Sequence, residues 1–510
     1  MKKRAGGILL PISSLPSPYG IGCFSKEAYE FVDFLKAAGQ TYWQILPLGP
    51  TGFGDSPYQC CSTFAGNPYF IDLSAFCRLG FLNETDINAY DFGKNPGMVD
   101  YAKIYKSRKA LFWKAYQNSP FALANKGKRR SEKEQRLGKA FAAFCRREAD
   151  WLNDYALFCA LKDHTGVSVY QEWEPDILHR TEEGMSRAKK LCEDEIRFHK
   201  FLQFFFQEQW DALKAYAKKK GIRIIGDLPI YVALDSADTW SKPELFYLDK
   251  DYRPTQVAGC PPDAFSKTGQ LWGNPIYRWS AHKKENYAWW IARMKRAFAL
   301  YDCVRLDHFR GFEAYYSIPA GEETAEHGTW KKGPGIVLFQ ALEAALGELP
   351  IIAEDLGVIT PKVEALREET GFPGMKVLQF AFDPKEDSDH LPHNYTQNCV
   401  AYTGTHDNQT SQGWFDKAKK REREKAILYL QLGKKTQVAE SFVRCVLGSV
   451  ANTAIIPMQD YLGLGDIARM NTPSTLGGKN WCWRVSERAL TKERAKEIKK
   501  WMKFYGRDLV

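Results

Sequence analysis

Eight short apolar runs recur along this chain, and between them lie segments whose apolar residues return at helical spacing. Strand alternating with helix is the pattern of a parallel sheet, because a parallel connection must be long enough to cross over and is usually helical. The runs are Gly7–Pro11, Thr41–Leu48, Ile222–Val232, Cys303–Leu306, Leu349–Gly357, Met375–Phe382, Cys399–Asn408 and Thr453–Met458. Between the first two, Ser25 is a candidate N-cap, Ala28, Phe31, Val32 and Leu35 share a helical face, and Gly39 supplies the stop. Eight such units are what a (β/α)8 barrel needs, and right-handed crossovers put every strand's carboxyl end on one face. The expected fold class is α/β, a (β/α)8 TIM barrel with large helical insertions between barrel strands. No run of alternating strands follows the eighth unit, so no C-terminal β-sandwich domain is expected.

Three stretches depart from the regular unit. Residues 71–199 read as mainly helical, too long for an ordinary crossover, and are expected to form an inserted subdomain. Residues 1–70 would then begin the barrel and residues 200–510 complete it, closing with an amphipathic helix after Thr491. Helical pattern resumes over Lys200–Lys220 and ends at Gly221. Gly49–Gln59 is a Gly/Pro-punctuated loop, as is 257–275, which carries Trp272 among amides and hydroxyls. Long loops at strand ends are usually functional or disordered, and this mixture suits a sugar subsite as well as a structural turn. Tyr58 fits either lying against a ring or propping its loop.

Composition narrows the partners. The formal charge of +10 is spread over runs such as Lys126–Arg130 and Lys417–Lys425 beside helical patterns, which reads as solvated surface, and no nucleic-acid partner is expected. Aromatic residues make up 14% of the chain, which permits stacking on sugar faces while serving core packing equally well. The 12 Cys lack metal-like C-x-x-C spacing, and scattered thiols fit a reducing, cytoplasmic compartment. The apolar run Ile8–Leu10 after the basic N-terminus is too short for a signal peptide or a membrane span, so no membrane association is expected.

The chemistry gathers at three strand ends. Cys303–Leu306 runs into Asp307, His308 and Arg310; Ile351–Ala353 into Glu354 and Asp355; Cys399–Tyr402 into His406 and Asp407. In a barrel, Asp307, Glu354 and Asp407 converge. Asp307 alone fits a capping or salt-bridged acid as well as a nucleophile. Clustered carboxylates also bind divalent cations, although the accompanying His and Arg residues argue for acid chemistry. Carboxylates at a barrel mouth suit glycosidic cleavage, one attacking or stabilising the anomeric carbon and another protonating the leaving oxygen. Arg305, two residues before Asp307, lies on the same side of the strand and favours its ionised form. Glu354 follows three apolar residues, so desolvation favours its protonated form. No G-x-S-x-G, H-E-x-x-H or phosphate-cradling Gly/Lys motif appears.

Val304–Gly311, Ile352–Gly357 and Thr403–Asn408 resemble the three active-site segments of the 4-α-glucanotransferases, the amylomaltases or disproportionating enzymes of glycoside hydrolase family 77. Gly54–Gln59, Gly226–Ile230, Pro261–Ser266 and Arg469–Pro473 are similar to further segments of that family, in order from Gly7 to about Arg484. The resemblance implies Asp307 as nucleophile, Glu354 as acid/base and Asp407 as the acid that holds sugar hydroxyls in the transition state. It implies Arg305 and His406 beside the scissile sugar, and Tyr58, Asp227, Gln270, Trp272, Asp383 and Asn471 as glucan-binding positions. It further implies retaining transfer of α-1,4-glucan segments to the 4-hydroxyl of an acceptor glucan or glucose, with no cofactor and no metal. The alternatives are an amylase-type retaining hydrolase and a non-catalytic glucan-binding scaffold. Cys60, Cys61 and Cys260 depart from the family's usual residues in loops expected to contact acceptor.

Overall fold

The computed structural model describes residues 4–508 apart from 53, 168, 263–265, 386 and 434–436. In chain order the strands are β1 (Ala5–Leu9), β2 (Tyr42–Gln44), β3 (Arg223–Leu228), β4 (Gln256–Cys260), β5 (Gln270–Pro275) and β6 (Cys303–Leu306). There follow β7 (Ala314–Pro319), β8 (Thr329–Lys332), β9 (Ile351–Ala353), β10 (Gly374–Val377), β11 (Cys399–Tyr402) and β12 (Thr453–Pro457). Eight of them form one parallel sheet in the order β10-β11-β12-β1-β2-β3-β6-β9. These are the eight runs expected from the sequence, and the fold is an α/β TIM barrel.

The ends of that sheet approach each other. Ala353 N–H donates to the Pro373 carbonyl at 2.9 Å, just before β10 begins. The Asp355 carboxylate then takes the place of a main-chain acceptor, receiving Met375 N–H at 2.7 Å while Arg367 pairs with it at 3.2 Å. The ring therefore has a seam between β9 and β10, spanned by one backbone bond and one side chain.

Period two sets the contents of the barrel. Leu9, Ile225, Ile352, Met375, Val377, Val400, Tyr402 and Ile455 form one buried cluster, while Ile8, Ile224, Val304 and Ile456 belong to the larger core shared with the helices. Continuing the inward row by two residues from Ile225 reaches Asp227, and from Cys303 reaches Arg305. The alternation that packs the barrel thus delivers charged groups to its carboxyl end. Gly226, between Ile225 and Asp227, has no room for a side chain, since a Cβ there would lie 2.1 Å from the Tyr301 ring.

The strands are shorter than the apolar runs. β2 has three residues, and the run Met375–Phe382 leaves the sheet at Val377 to continue as a tight 3-10 turn, Leu378–Phe382. A clear correction concerns residues 257–275, expected to be one long loop. They contribute β4 and β5, antiparallel partners in a second, four-stranded sheet of order β5-β4-β7-β8. Residues 263–265, within the family-like segment Pro261–Ser266, lie outside the described residues.

Between β2 and β3 the chain is helical, as in Tyr101–Asn118, Glu132–Arg147 and Ala149–Thr165, with an aromatic core in which Phe76, Phe201 and Phe205 have ring centroids 4.8–5.5 Å apart. Helix Glu193–Lys219 continues without a break through residues 199 and 200. Its Trp210 indole donates to the Leu300 carbonyl at 3.0 Å, anchoring it behind β6. The closing helix Lys492–Phe504 is followed by buried Arg507, which donates to Ala5, Leu447, Ser449 and Ala451 carbonyls and so ties the chain's end to its first strand. Among the described residues no helix is long and apolar enough to cross a membrane.

Candidate active site

Arg305 is the centre of the polar cluster. Its guanidinium is buried, and one nitrogen, Nη1, lies 2.9 Å from both Asp227 oxygens and 2.9 Å from Asp307 Oδ1. Burial pushes the Asp227 carboxyl up, against the pull of Arg305; for Arg305 itself, burial is outweighed by the two acids, which hold it more firmly charged. Tyr58 OH donates to Asp227 Oδ2 at 2.7 Å, and its ring stacks on His406 at 5.1 Å and 16°. The Gly49–Gln59 loop is therefore fastened into the barrel mouth by Tyr58. At its far side Tyr105, from the inserted helices, donates to Asp55.

Asp407 extends the chain of contacts. His406 Nε2 is 3.3 Å from Asp407 Oδ2, and Asn471 Nδ2 donates to Asp407 Oδ1 at 2.7 Å. Burial raises the Asp407 carboxyl, but His406, the Asn471 amide and Arg305 together outweigh it and hold it well below the usual carboxylate range. Reciprocally, burial opposes a charged His406 and Asp407 prevails, moving it up. Asp307 and Asp407 still present 28% and 43% of their side chains to the cleft, enough to meet a ligand.

Glu354 is held differently. Its oxygens accept main-chain donors: His308 N–H at 2.7 Å on Oε2 and Leu356 N–H at 3.0 Å on Oε1. Burial dominates, aided by Asp307 and opposed by Arg305, and pushes its carboxyl from 4.5 up to about 7. Its carboxyl is thus raised while that of Asp407 is held low.

Trp272 comes from β5, its indole donating to Gln270 at 3.2 Å and its ring meeting His308 edge-on at 4.8 Å. The second sheet thereby reaches the cluster at a point the sequence placed on a loop. Asp383 is set apart: it is exposed after the 3-10 turn, and its oxygens accept Lys385 N–H at 2.9 Å and, at its carbonyl, Lys425 at 2.7 Å. Cys60 faces inward, its thiol 2.9 Å from the Pro57 carbonyl, lining a cavity of about 40 Å³ with Tyr58, Asp227 and Arg293. Cys61 interacts with Cys159 of the inserted helices, and Cys260 ends β4.

Sequence reasoning passed over two contributors. Arg469 donates to the carbonyls of Asp407 and Asn471, fixing that loop, and its position inside the family-like Arg469–Pro473 segment was the available signal. Trp481 tilts against both Tyr58 and His406, at 5.8 and 6.0 Å, and nothing in its local sequence marks it. Asp355, one of two adjacent acids, serves the barrel seam rather than the cluster. Among the described residues no three His, Cys, Asp or Glu side chains stand together so as to hold a metal ion.

Fold and cluster define a (β/α)8-barrel enzyme with its polar site at the carboxyl ends of the strands. The comparisons with known proteins then give the family. Residues 10–491 match the family model Glyco_hydro_77, described as 4-alpha-glucanotransferase. The chain is 48% identical over 498 residues to a 4-alpha-glucanotransferase of Clostridium butyricum, covering 97% of this chain and 99% of that one. It is likewise 48% identical over 504 residues to one of Thermus thermophilus, covering 97% of each. Among solved structures, an amylomaltase from Streptococcus agalactiae in complex with acarbose superposes with a TM-score of 0.94 at 42% identity, covering 99% of this chain and 100% of that one. The chain belongs to the 4-alpha-glucanotransferase family, glycoside hydrolase family 77.

Proposed function

We propose that this protein moves α-1,4-glucan segments from a donor to the 4-hydroxyl of an acceptor glucan or glucose, by retaining double displacement. Asp307 attacks the anomeric carbon through its carboxylate while Glu354 gives its proton to the departing glycosidic oxygen, leaving a glucosyl ester on Asp307. The acceptor hydroxyl then surrenders its proton to Glu354 as its oxygen displaces the Asp307 carboxylate, restoring both groups. The observation that carries this reading is the pairing of one acid with a buried guanidinium beside a second acid that burial pushes up. Arg305 sits 2.9 Å from Asp307, while Glu354 is pushed up to about 7. A carboxylate ion-paired to an arginine suits the nucleophile, and a carboxyl raised by burial suits the acid.

Asp407, anchored by Asn471 and His406, is positioned as a permanent anion facing developing positive charge at the sugar. Tyr58, Asp227, Gln270 and Trp272 are proposed to line the glucan path, with Asp383 at an outer position. The acarbose complex of the Streptococcus agalactiae amylomaltase supports glucan-like ligands at such a site.

Incubation of the purified protein with maltotriose, with glucose and longer maltooligosaccharides resolved over time, tests the reading. The expected result is a ladder of longer chains with little net gain of reducing ends. Asp307→Asn removes the ladder while glucan binding persists. Net conversion to shorter sugars would instead indicate a hydrolase, and inactivity on longer donors a binding scaffold.

A further inference from the structure

His308 follows Asp307 in sequence and stands out in conformation. Its backbone is left-handed, φ 52° and ψ 50°, a region uncommon for a non-glycine residue. Its ring is wedged: it stands perpendicular to the Trp272 ring with centroids 4.8 Å apart, and a Cβ on Gly311 would lie 3.0 Å from His308 Cδ2 and 2.7 Å from Ile230 Cδ1. The ring performs no polar task among the described residues. Its Nε2 is buried without a hydrogen-bond partner, and burial pushes the imidazole down to about 4, so it is neutral in the working range. What the residue does contribute is its main chain, whose N–H meets Glu354 Oε2 at 2.7 Å.

We infer that His308 is a positioning residue for Glu354: the ring, lodged between Trp272 and Gly311, holds a left-handed turn that aims the His308 N–H at the Glu354 carboxyl. The inference rests on the reading of Glu354 as acid/base. The turn has leverage because the flanking amides share it. Asp307 N–H donates to Leu228 O at 3.0 Å and Phe309 N–H to Glu354 O at 3.0 Å, so rotation at 308 disturbs both acids' supports. The charged groups facing Glu354 are Arg305 and Asp307. Arg310, the nearest charge to His308 on its other side, is turned away onto the Trp330 face, 3.8 Å from its centroid, and the Val358 carbonyl. An N–H directed at a carboxylate favours its ionised form, so losing this donor moves the Glu354 titration further up.

The test uses residues that differ in tolerance of the left-handed region. Asn adopts it readily and needs no wedge, whereas Val has neither the wedge nor the backbone preference. Initial rates of maltotriose disproportionation are measured across pH for wild type, His308→Asn and His308→Val. The Val variant is expected to lose about tenfold or more in kcat, with KM little changed, and to move the alkaline limb up by about half a pH unit or more. The Asn variant keeps the wild-type limb. Gly311→Ala, whose methyl would press on Ile230 Cδ1 at 2.7 Å and on the His308 ring at 3.0 Å without substituting residue 308, moves the limb in the Val direction and serves as the deciding variant if the Val protein does not fold. An unmoved limb in Val and Gly311→Ala, or an equal shift in Asn, overturns the inference. A wild type without a transfer ladder overturns the functional reading instead.

Discussion

Replacing Glu354 by Gln should abolish transfer and, at the same time, flatten the dependence of stability on pH. The carboxyl is pushed from 4.5 up to about 7 in the folded chain. At about 1.4 kcal/mol per tenfold change in equilibrium, ionising it costs the fold about 3 kcal/mol. The sign follows from proton counting. Below both values the group is protonated, folded or unfolded, and contributes nothing. As pH rises from 4.5 to about 7 the unfolded chain releases its proton first, so stability falls, and above about 7 the loss is complete. For 510 residues, an unfolding entropy of roughly 2.1 cal/mol/K per residue makes this about 3 °C in melting temperature. Gln also leaves one of the two N–H donors facing an amide nitrogen, but that penalty is the same at every pH. Buried acids outside the Arg305 cluster, including Asp355, Asp460 and Asp238 at about 6, titrate in both proteins and cancel. Scanning calorimetry of both proteins at about pH 5 and about pH 8 therefore isolates Glu354. The wild type should lose about 2–3 °C more than the variant over that interval. Equal losses would refute the claim that the fold bears the cost of keeping this acid protonated. Transfer by the variant should fall about 100- to 10,000-fold.

Asn471→Ala removes a charge-assisted hydrogen bond of 2.7 Å to Asp407 and should lower kcat/KM about 10- to 150-fold, from the usual 1.5–3 kcal/mol of such bonds, with little change in melting. Rates on maltotriose within twofold of wild type would contradict the role given to that loop. Gly226→Ala places a methyl against the Tyr301 ring and should cost about 1–3 kcal/mol, seen as earlier thermal unfolding; an unchanged melt would mean the strand beneath Asp227 tolerates displacement.

The barrel was legible because its signal is local. Each strand is an apolar run bounded by turn residues, and the acids that end β6, β9 and β11 announce themselves against that background. The four-stranded sheet was hidden for two reasons. Its partners are distant, Gln256 pairing with Pro319, and Gly259 in β4, Gly273 in β5 and Gly269 between them give the segment the composition of a loop. The exits of the strands were overextended, since apolar character persists into the 3-10 turn Leu378–Phe382 after pairing has stopped. Within the site, the residues that supply charge could be named from the sequence. Those that supply aim could not: the left-handed turn at His308, the Arg469 bridge and the tilt of Trp481 exist only once separate loops have met.

A hoop shares its load around the circumference until it is cut, and then the load falls on the clasp. In this barrel the clasp is the Ala353 amide and the Asp355 carboxylate, and Glu354 is the residue between them. Asp307, by contrast, leaves a strand laddered on both sides, to β3 and to β9. The two proposed partners in bond exchange therefore differ in mechanical footing. The proposed nucleophile follows a strand paired along both edges, while the proposed proton carrier stands where one backbone bond and one carboxylate do the pairing.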